Sequence, residues 1–204
     1  ETGNGSISIT LVTNSGGAAN LIAYSGTGLA DIRNNTIGSI DLYGSTTSIS
    51  MGCQAIYVSG GTPTISNNLI GSLTTPNSIH AATVSTHTSA QRMVGIIVTG
   101  TSTNNSITIS NNTIANLTQA GTGASHYIRG IFFSGQGNTA ISTINITNNT
   151  LFNLKGANSF PTLSSAAIGV LGIGWIATTT NSIYAIPVIT GNTIYGLEAT
   201  NSGA

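Results

Sequence analysis

One short motif constrains the fold of this chain more than any other feature, because it occurs five times. Its clearest copy is ISNNTIANL at residues 109–117, and variant copies begin at Ile32, Ile65, Ile146 and Ile189. The second asparagine of the copies falls at residues 35, 68, 112, 149 and 192, so the spacings are 33, 44, 37 and 43 residues. A fixed motif with spacers of this length is typical of a solenoid or a propeller.

The side-chain directions within the motif predict two bends. Its alternating apolar and polar residues, rich in Ile and Thr, favour a strand over a helix. Ile109 and Ile114 are five residues apart, so both can point inward only if the chain bends between them. Asn and Gly tolerate the positive φ of such a bend, and residue 191 is Gly where the other copies have Asn. We therefore predict the bend at Asn34, Asn67, Asn111 and Asn148, and a further corner between Ile114 and Leu117.

The second asparagine of each copy would then point inward. Identical amides at equivalent positions can stack on one another when strands lie in register. The sequence thus predicts an internal asparagine ladder formed by Asn35, Asn68, Asn112, Asn149 and Asn192.

A second set of apolar strands precedes the motif copies, at residues 21–24, 55–58, 95–98, 130–133 and 169–172. Each repeat is therefore a strand, a turn, a strand, a corner, a short strand and a loop, and we call this unit a rung. We place the rungs at about residues 20–53, 54–93, 94–128, 129–167 and 168–204, within a single domain, and expect Ile7–Val12 to end a preceding rung. An apolar outward column, which loops or a partner must cover, comprises Ala23, Tyr57, Ile97, Phe132 and Leu171.

These rungs, with their apolar-x-Asn-Asn-x-Ile pattern, resemble the right-handed parallel β-helix, or pectin-lyase-like fold. The resemblance covers roughly residues 20 to 198 and implies an all-β solenoid of about five rungs. It implies no single activity, because this fold hosts lyases, hydrolases, phage tailspikes, adhesins and structural stalks. Neither end of the chain has the polar cap that a solenoid needs, so we expect a fragment of a longer repeat protein.

The charge content excludes one class of partner and indicates a location. Charged residues make up 4% of the chain, against about 25% in typical soluble domains, and the formal net charge is zero. Nucleic-acid binding requires many more cations, so we exclude it. The longest apolar run, residues 166–177, is too short to cross a bilayer. A surface of Asn, Ser, Thr and Gly is instead typical of secreted or cell-surface repeat proteins.

The residues of this chain do not predict catalysis. Hydrolases of the resembling fold need paired carboxylates, and its lyases need acidic ligands for calcium. Asp31 and Asp41 share a rung, whereas Glu198 lies four rungs away, about 19 Å at about 4.8 Å per rung. Cys53 is the single cysteine and is expected to be a buried structural thiol. We therefore predict no catalytic residue, no metal and no cofactor.

The loops are the expected contact surface, because binding residues concentrate on loops held by a rigid scaffold. The loops that follow the motif leave the coil at one corner and should form a wall. Residues 74–92 and 118–129 are the two loops that carry basic and aromatic side chains. We predict that a glycan or a surface protein contacts His80, His87, Arg92, His126, Tyr127 and Arg129.

Outward Ser and Thr residues of the motif form repeating columns. This set resembles the surface of ice-binding β-solenoids and consists of Thr108, Ser110, Thr113, Thr147, Thr150, Thr190 and Thr193. The prediction from sequence is a non-catalytic, extracellular structural or adhesive β-helix module. Three alternatives remain open: a carbohydrate-active β-helix whose catalytic residues lie outside this fragment, an ice-binding solenoid, and a fibre subunit that associates end to end.

Overall fold

The computed structural model describes residues 7–11, 18–44, 51–81, 91–99, 105–120, 126–135, 141–156, 169–177 and 187–200. These residues form eighteen β-strands and no helix, so none of them belongs to a helix of the length and hydropathy that a membrane span requires. The strands lie in three parallel sheets. The chain is thus all-β with stacked parallel strands, an arrangement consistent with a parallel β-solenoid.

Each rung contributes to the three sheets in the same order along the chain. Sheet B contains β2 (Ala18–Tyr24), β6 (Met51–Val58), β10 (Gln91–Thr99), β13 (Tyr127–Gly135) and β16 (Val170–Ala177). Sheet C contains β3 (Leu29–Arg33), β7 (Thr62–Ser66), β11 (Asn105–Ser110), β14 (Ile141–Thr147) and β17 (Val188–Thr190). Sheet A contains β1 (Ile7–Leu11), β4 (Thr36–Ile37), β5 (Ile40–Gly44), β8 (Leu69–Gly71), β9 (Ile79–Ala81), β12 (Thr113–Gln119), β15 (Thr150–Gly156) and β18 (Thr193–Ala199).

The motif copies stack in register. Ile109 of β11 aligns with Ile65 of β7 on one side and Ile146 of β14 on the other. Strand β1 pairs with β5, with Ile7 opposite Ile40, so this segment supplies the sheet A strand of a preceding rung, as its sequence predicted. Inward Ile, Leu and Val residues form one continuous core along the stack. Each buried side chain of this size contributes about 1.5–3 kcal/mol.

Positive φ angles confirm both predicted bends. The first asparagine of the pair has φ of 58° at Asn34 and 56° at Asn111, and Gly191 has 66° at the equivalent position. The second corner precedes the last inward residue of the copy, with φ of 57° at Asn116 and 52° at Asn153. These left-handed residues turn the chain so that apolar side chains on both sides of each bend reach the core.

The second asparagines form the predicted ladder of hydrogen bonds. The backbone N–H and the Nδ2 of Asn68 both donate to Asn112 Oδ1, at 3.0 and 2.9 Å. Asn68 Nδ2 also donates to the carbonyl of Ile32 at 2.9 Å. The same pattern links Asn112 to Asn149 and Asn149 to Asn192. Because the buried amides donate and accept along the whole stack, they occupy the core without the penalty of unpaired polar groups.

The second rung departs from the sequence interpretation. Leu73 follows Ile70 by three residues, as Leu117 follows Ile114, so the motif places it inward; instead Leu73 is 59% exposed and Ile79 aligns with Leu117. Residues 72–78 are an insertion, in which Ser72 Oγ accepts the backbone N–H groups of Thr74 and Thr75. Because the insertion separates β8 from β9, the chain returns to sheet A only at Ile79.

The outward column of sheet B also needs a correction. Phe132 aligns with Gly174 and not with Leu171, which aligns with Arg129. Glycine precedes a β-branched apolar residue at both 169 and 172, so the local sequence allows either alignment. A Cβ on Gly130 would contact the Gly172 carbonyl, so Gly172 is its structural equivalent.

Candidate functional site

Three of the predicted contact residues meet on the outer face of sheet B. Arg92 of β10 aligns with Tyr127 of the neighbouring β13, and Arg129 follows on the same face of β13. The guanidinium carbon of Arg129 lies 4.0 Å from the ring centroid of Tyr127 and 4.0 Å from that of Phe132. The guanidinium carbon of Arg92 lies 5.6 Å from the Tyr127 centroid. We call Arg92, Tyr127 and Arg129 the arginine–tyrosine cluster.

The two arginines of the cluster have different environments. Arg129 is buried, and this desolvation lowers its pKa. The electrostatic interaction with Tyr127 raises the pKa of Arg129, whereas the positive charge of Arg92 lowers it further. Contact with aromatic faces stabilises such a cation by about 0.5–2 kcal/mol. Arg92 is exposed. The cluster therefore presents the accessible guanidinium of Arg92 beside the ring of Tyr127. The buried Arg129 packs against that ring and supports its position.

Part of the apolar outward face beside the cluster is buried within the chain. Val94, Ile97 and Phe132 are buried and form a small cluster of their own, packed against Tyr57, Tyr127 and Leu171. On this surface Arg92 is exposed, and Tyr57, Tyr127 and Leu171 are partly buried. A ligand that contacts Arg92 would consequently meet a cation directly beside the phenol of Tyr127.

The other predicted contact residues that the structure describes, His126 and His80, do not lie together on one wall of loops. His126 directly precedes Tyr127 and is buried. His80 lies on β9 of sheet A, because the insertion at residues 72–78 shifts the chain, and its Nδ1 is 4.0 Å from Asp41 Oδ1. Desolvation lowers the pKa of His80, and the charge of Asp41 opposes that shift. His87 lies outside the described residues.

Comparison with protein-family models, with curated proteins and with solved structures found no match to this chain. In the part of the chain that the structure describes, no three His, Cys, Asp or Glu side chains come together to hold a metal ion.

The predicted Ser/Thr columns are in register but belong to two sheets. Thr108 and Ser110 align with Asn145 and Thr147 on sheet C, and Thr147 aligns with Thr190. Thr113, Thr150 and Thr193 align on sheet A, beyond the bend at Asn111. The bend places the two groups of columns on different faces, so these residues do not form one flat array.

A cleft on the outer face of sheet A was missed by the sequence interpretation. It has a volume of about 430 Å³, and its lining includes Asn77, Asn116, Asn153, Lys155 and Glu198. The sequence contained one indication of this cleft. Asparagine precedes the last inward leucine in two successive copies of the motif, at Asn116 and Asn153, so two carboxamides lie side by side at this corner. Because the sequence interpretation did not recognise residues 72–78 as an insertion, it did not predict that Asn77 forms one wall of the cleft.

The buried thiol gives a prediction about reactivity. Cys53 is fully buried, and desolvation raises its pKa to about 12. The thiolate is the reactive species, so native protein at pH 7.5 should react with iodoacetamide or a disulfide reagent only on the timescale of opening or unfolding. Mass spectrometry of the alkylated protein with and without denaturant measures this difference. Rapid, complete labelling of the native protein would contradict the buried position of Cys53.

Proposed function

We propose that this chain folds as a right-handed parallel β-helix with the pectin-lyase-like fold. It acts as a non-catalytic module of an extracellular or cell-surface protein and binds an acidic glycan through the arginine–tyrosine cluster. The observation that carries this proposal is the exposed guanidinium of Arg92 beside Tyr127, on a sheet whose neighbouring strands are all paired in register.

The chemistry of the cluster favours an anionic sugar. A guanidinium recognises carboxylate and sulfate groups through paired, charge-assisted hydrogen bonds. Binding sites combine aromatic side chains with a small number of well-placed polar groups, and Tyr127 supplies both a ring and a hydroxyl. Arg129, 4.0 Å from the Tyr127 ring, keeps that ring in place and adds positive potential. A uronate or sulfated unit of a polysaccharide would offer an anionic group to the guanidinium of Arg92 and a sugar ring to Tyr127.

The placement of the carboxylates supports a non-catalytic role. Asp41 and Glu198 lie on the outer column of sheet A, four strand steps apart, or about 19 Å at about 4.8 Å per step. Asp31 forms an ion pair with Arg33 on sheet C. Glycoside hydrolysis needs two carboxyl groups within about 5–10 Å, so Asp41 and Glu198 do not supply an acid and a base to one bond.

The proposal predicts that Arg92→Ala weakens binding to an acidic polysaccharide by about 10- to 100-fold, because a charge-assisted hydrogen bond contributes about 1.5–3 kcal/mol. Polygalacturonate and a sulfated galactan are the two probes, and their comparison distinguishes a carboxylate from a sulfate. Calorimetry or biolayer interferometry gives the affinity, which should also fall as salt is added.

Arg33→Ala is the matched control, because Arg33 is a half-exposed arginine on sheet C that pairs with Asp31. It should leave the affinity for both polymers within about twofold, since it lies on another face. Equal binding of dextran and polygalacturonate, or equal losses in the two variants, would refute the role of the cluster. Release of reducing sugars or unsaturated products would refute the non-catalytic role.

A further inference from the structure

The cleft on sheet A is built by a loop that is fastened onto the strands. Asn116 Nδ2 donates to the carbonyl of Ser72 at 2.7 Å, at one end of the insertion at residues 72–78. Thr118 Oγ1 donates to Asn77 Oδ1 at 2.6 Å, and the backbone N–H of Ser78 donates to the carbonyl of Asn116 at 2.9 Å. The loop wall is thus held at both ends. A cleft that exists before a ligand arrives loses little entropy on binding.

The floor of the cleft repeats from rung to rung. Asn153 Nδ2 donates to Asn116 Oδ1 at 3.1 Å, which orients the carboxamide of Asn153 in the exposed corner of sheet A. Residue 196 continues this corner column with glycine, so the next rung contributes no side chain there. The missing side chain makes room beside Asn153. The cleft volume of about 430 Å³ is within the range of about 300–1,000 Å³ that small-molecule sites occupy.

The charges of the cleft cancel. Lys155 Nζ lies 3.3 Å from Glu198 Oε1, and both side chains are about half exposed. The remaining polar groups of the lining are carboxamides and a hydroxyl, which both donate and accept hydrogen bonds. Pro76 in the loop wall adds apolar surface, whereas Leu197 continues the inward column of Leu117 and Leu154. This lining has no net charge to select an ion, and it offers paired donors and acceptors next to a proline ring.

We infer that this cleft is a second binding site, which takes a neutral, polyhydroxylated ligand of the size of one or two sugar units. Neighbouring hydroxyl groups of a sugar donate and accept at the spacing that a carboxamide or a Lys–Glu pair can match. The apolar edge of a sugar ring would face Pro76. The site is on a different sheet from the arginine–tyrosine cluster and does not depend on that cluster's ligand.

The test compares two substitutions of the same type. Asn153→Gly removes a lining carboxamide, and glycine already occupies the equivalent bend at Gly196 with φ of 62°. Asn148→Gly is the control, because Asn148 is an exposed asparagine with φ of 56° at the other bend, and Gly191 is its counterpart in the next rung. Both substitutions preserve the left-handed backbone, so the folded state should survive in each. Circular dichroism and thermal unfolding verify this before binding is measured.

The ligand probes are maltotriose, cellotriose, mannotriose and xylotriose, titrated up to about 10 mM, which detects dissociation constants in the millimolar range and below. We expect at least one trisaccharide to bind the wild-type chain, and Asn153→Gly and Lys155→Met each to weaken that binding at least about tenfold. Asn148→Gly and Arg92→Ala should leave it unchanged.

Either of two results would overturn the inference. One is the absence of binding to every neutral trisaccharide on the panel. The other is binding that Asn153→Gly and Lys155→Met leave unchanged, because the ligand would then occupy a different surface. Loss of polygalacturonate binding in Arg92→Ala, with trisaccharide binding intact, separates this site from the proposed function, and each can fail while the other stands.

Discussion

Replacing Asn112 by alanine should destabilise the protein by about 3–5 kcal/mol, because one substitution leaves several buried groups unpaired at about 1–3 kcal/mol each. Asn112 Oδ1 accepts both the backbone N–H and the Nδ2 of Asn68, and both donors would lose their acceptor. The carbonyl of Ile65 would lose its bond from Asn112 Nδ2. The free energy of unfolding, measured by denaturant titration of both proteins, gives the difference directly.

Asn111→Gly is the control for this experiment, since Asn111 is the adjacent exposed asparagine and has φ of 56°. Glycine adopts this backbone conformation without strain, so the free energy of unfolding should change by less than about 1 kcal/mol. If Asn112→Ala cost no more than Asn111→Gly, the ladder would contribute nothing measurable to stability.

Replacing Ile109 by alanine should cost about 2–5 kcal/mol, because it opens a cavity in the core of the stack. Ile109 is fully buried and lies between Ile65 and Ile146 in the neighbouring strands. Stacked rungs are stabilised by contacts with their neighbours, so a cavity in a central rung weakens two interfaces. Thermal unfolding followed by circular dichroism should show a lower midpoint temperature.

Thr108→Ala is the matched control, because Thr108 precedes Ile109 on β11 and faces outward. Thr108 is only partly buried, and substitutions at outward positions of this kind usually change stability by about 0.5 kcal/mol or less. A loss for Thr108→Ala as large as that for Ile109→Ala would mean that the inward and outward faces of β11 had been assigned in the wrong order.

The repeat predicted the parts of the fold that depend on local conformation. Residue 191 is glycine where other copies have asparagine, and this single exchange located the left-handed bend that Asn111 adopts. Once that bend is known, alternation alone places Asn112 inward. Asn112 and Asn149 are then hydrogen-bonded across 37 residues of sequence. Local preferences repeated at equivalent positions thus specified a long-range network.

The candidate sites were predicted less completely, because they depend on which residues of neighbouring rungs align. Arg92, Tyr127 and Arg129 were selected as loop residues but lie on strands β10 and β13. His80 was expected beside them and lies on sheet A. The cleft was not predicted at all, since its lining comes from three different rungs and from the insertion at residues 72–78.

The sequence by itself determined the strand-rich rungs, the two bends and the inward asparagines, because a residue's φ preference and its polarity act over only a few positions. Tertiary structure decided that Ile79 rather than Leu73 packs under Leu117, and that Gly174 rather than Leu171 follows Phe132 in its column. In both cases the local sequence allows two alignments of similar quality. Contacts with the adjacent rung select between them, and only the folded stack contains those contacts.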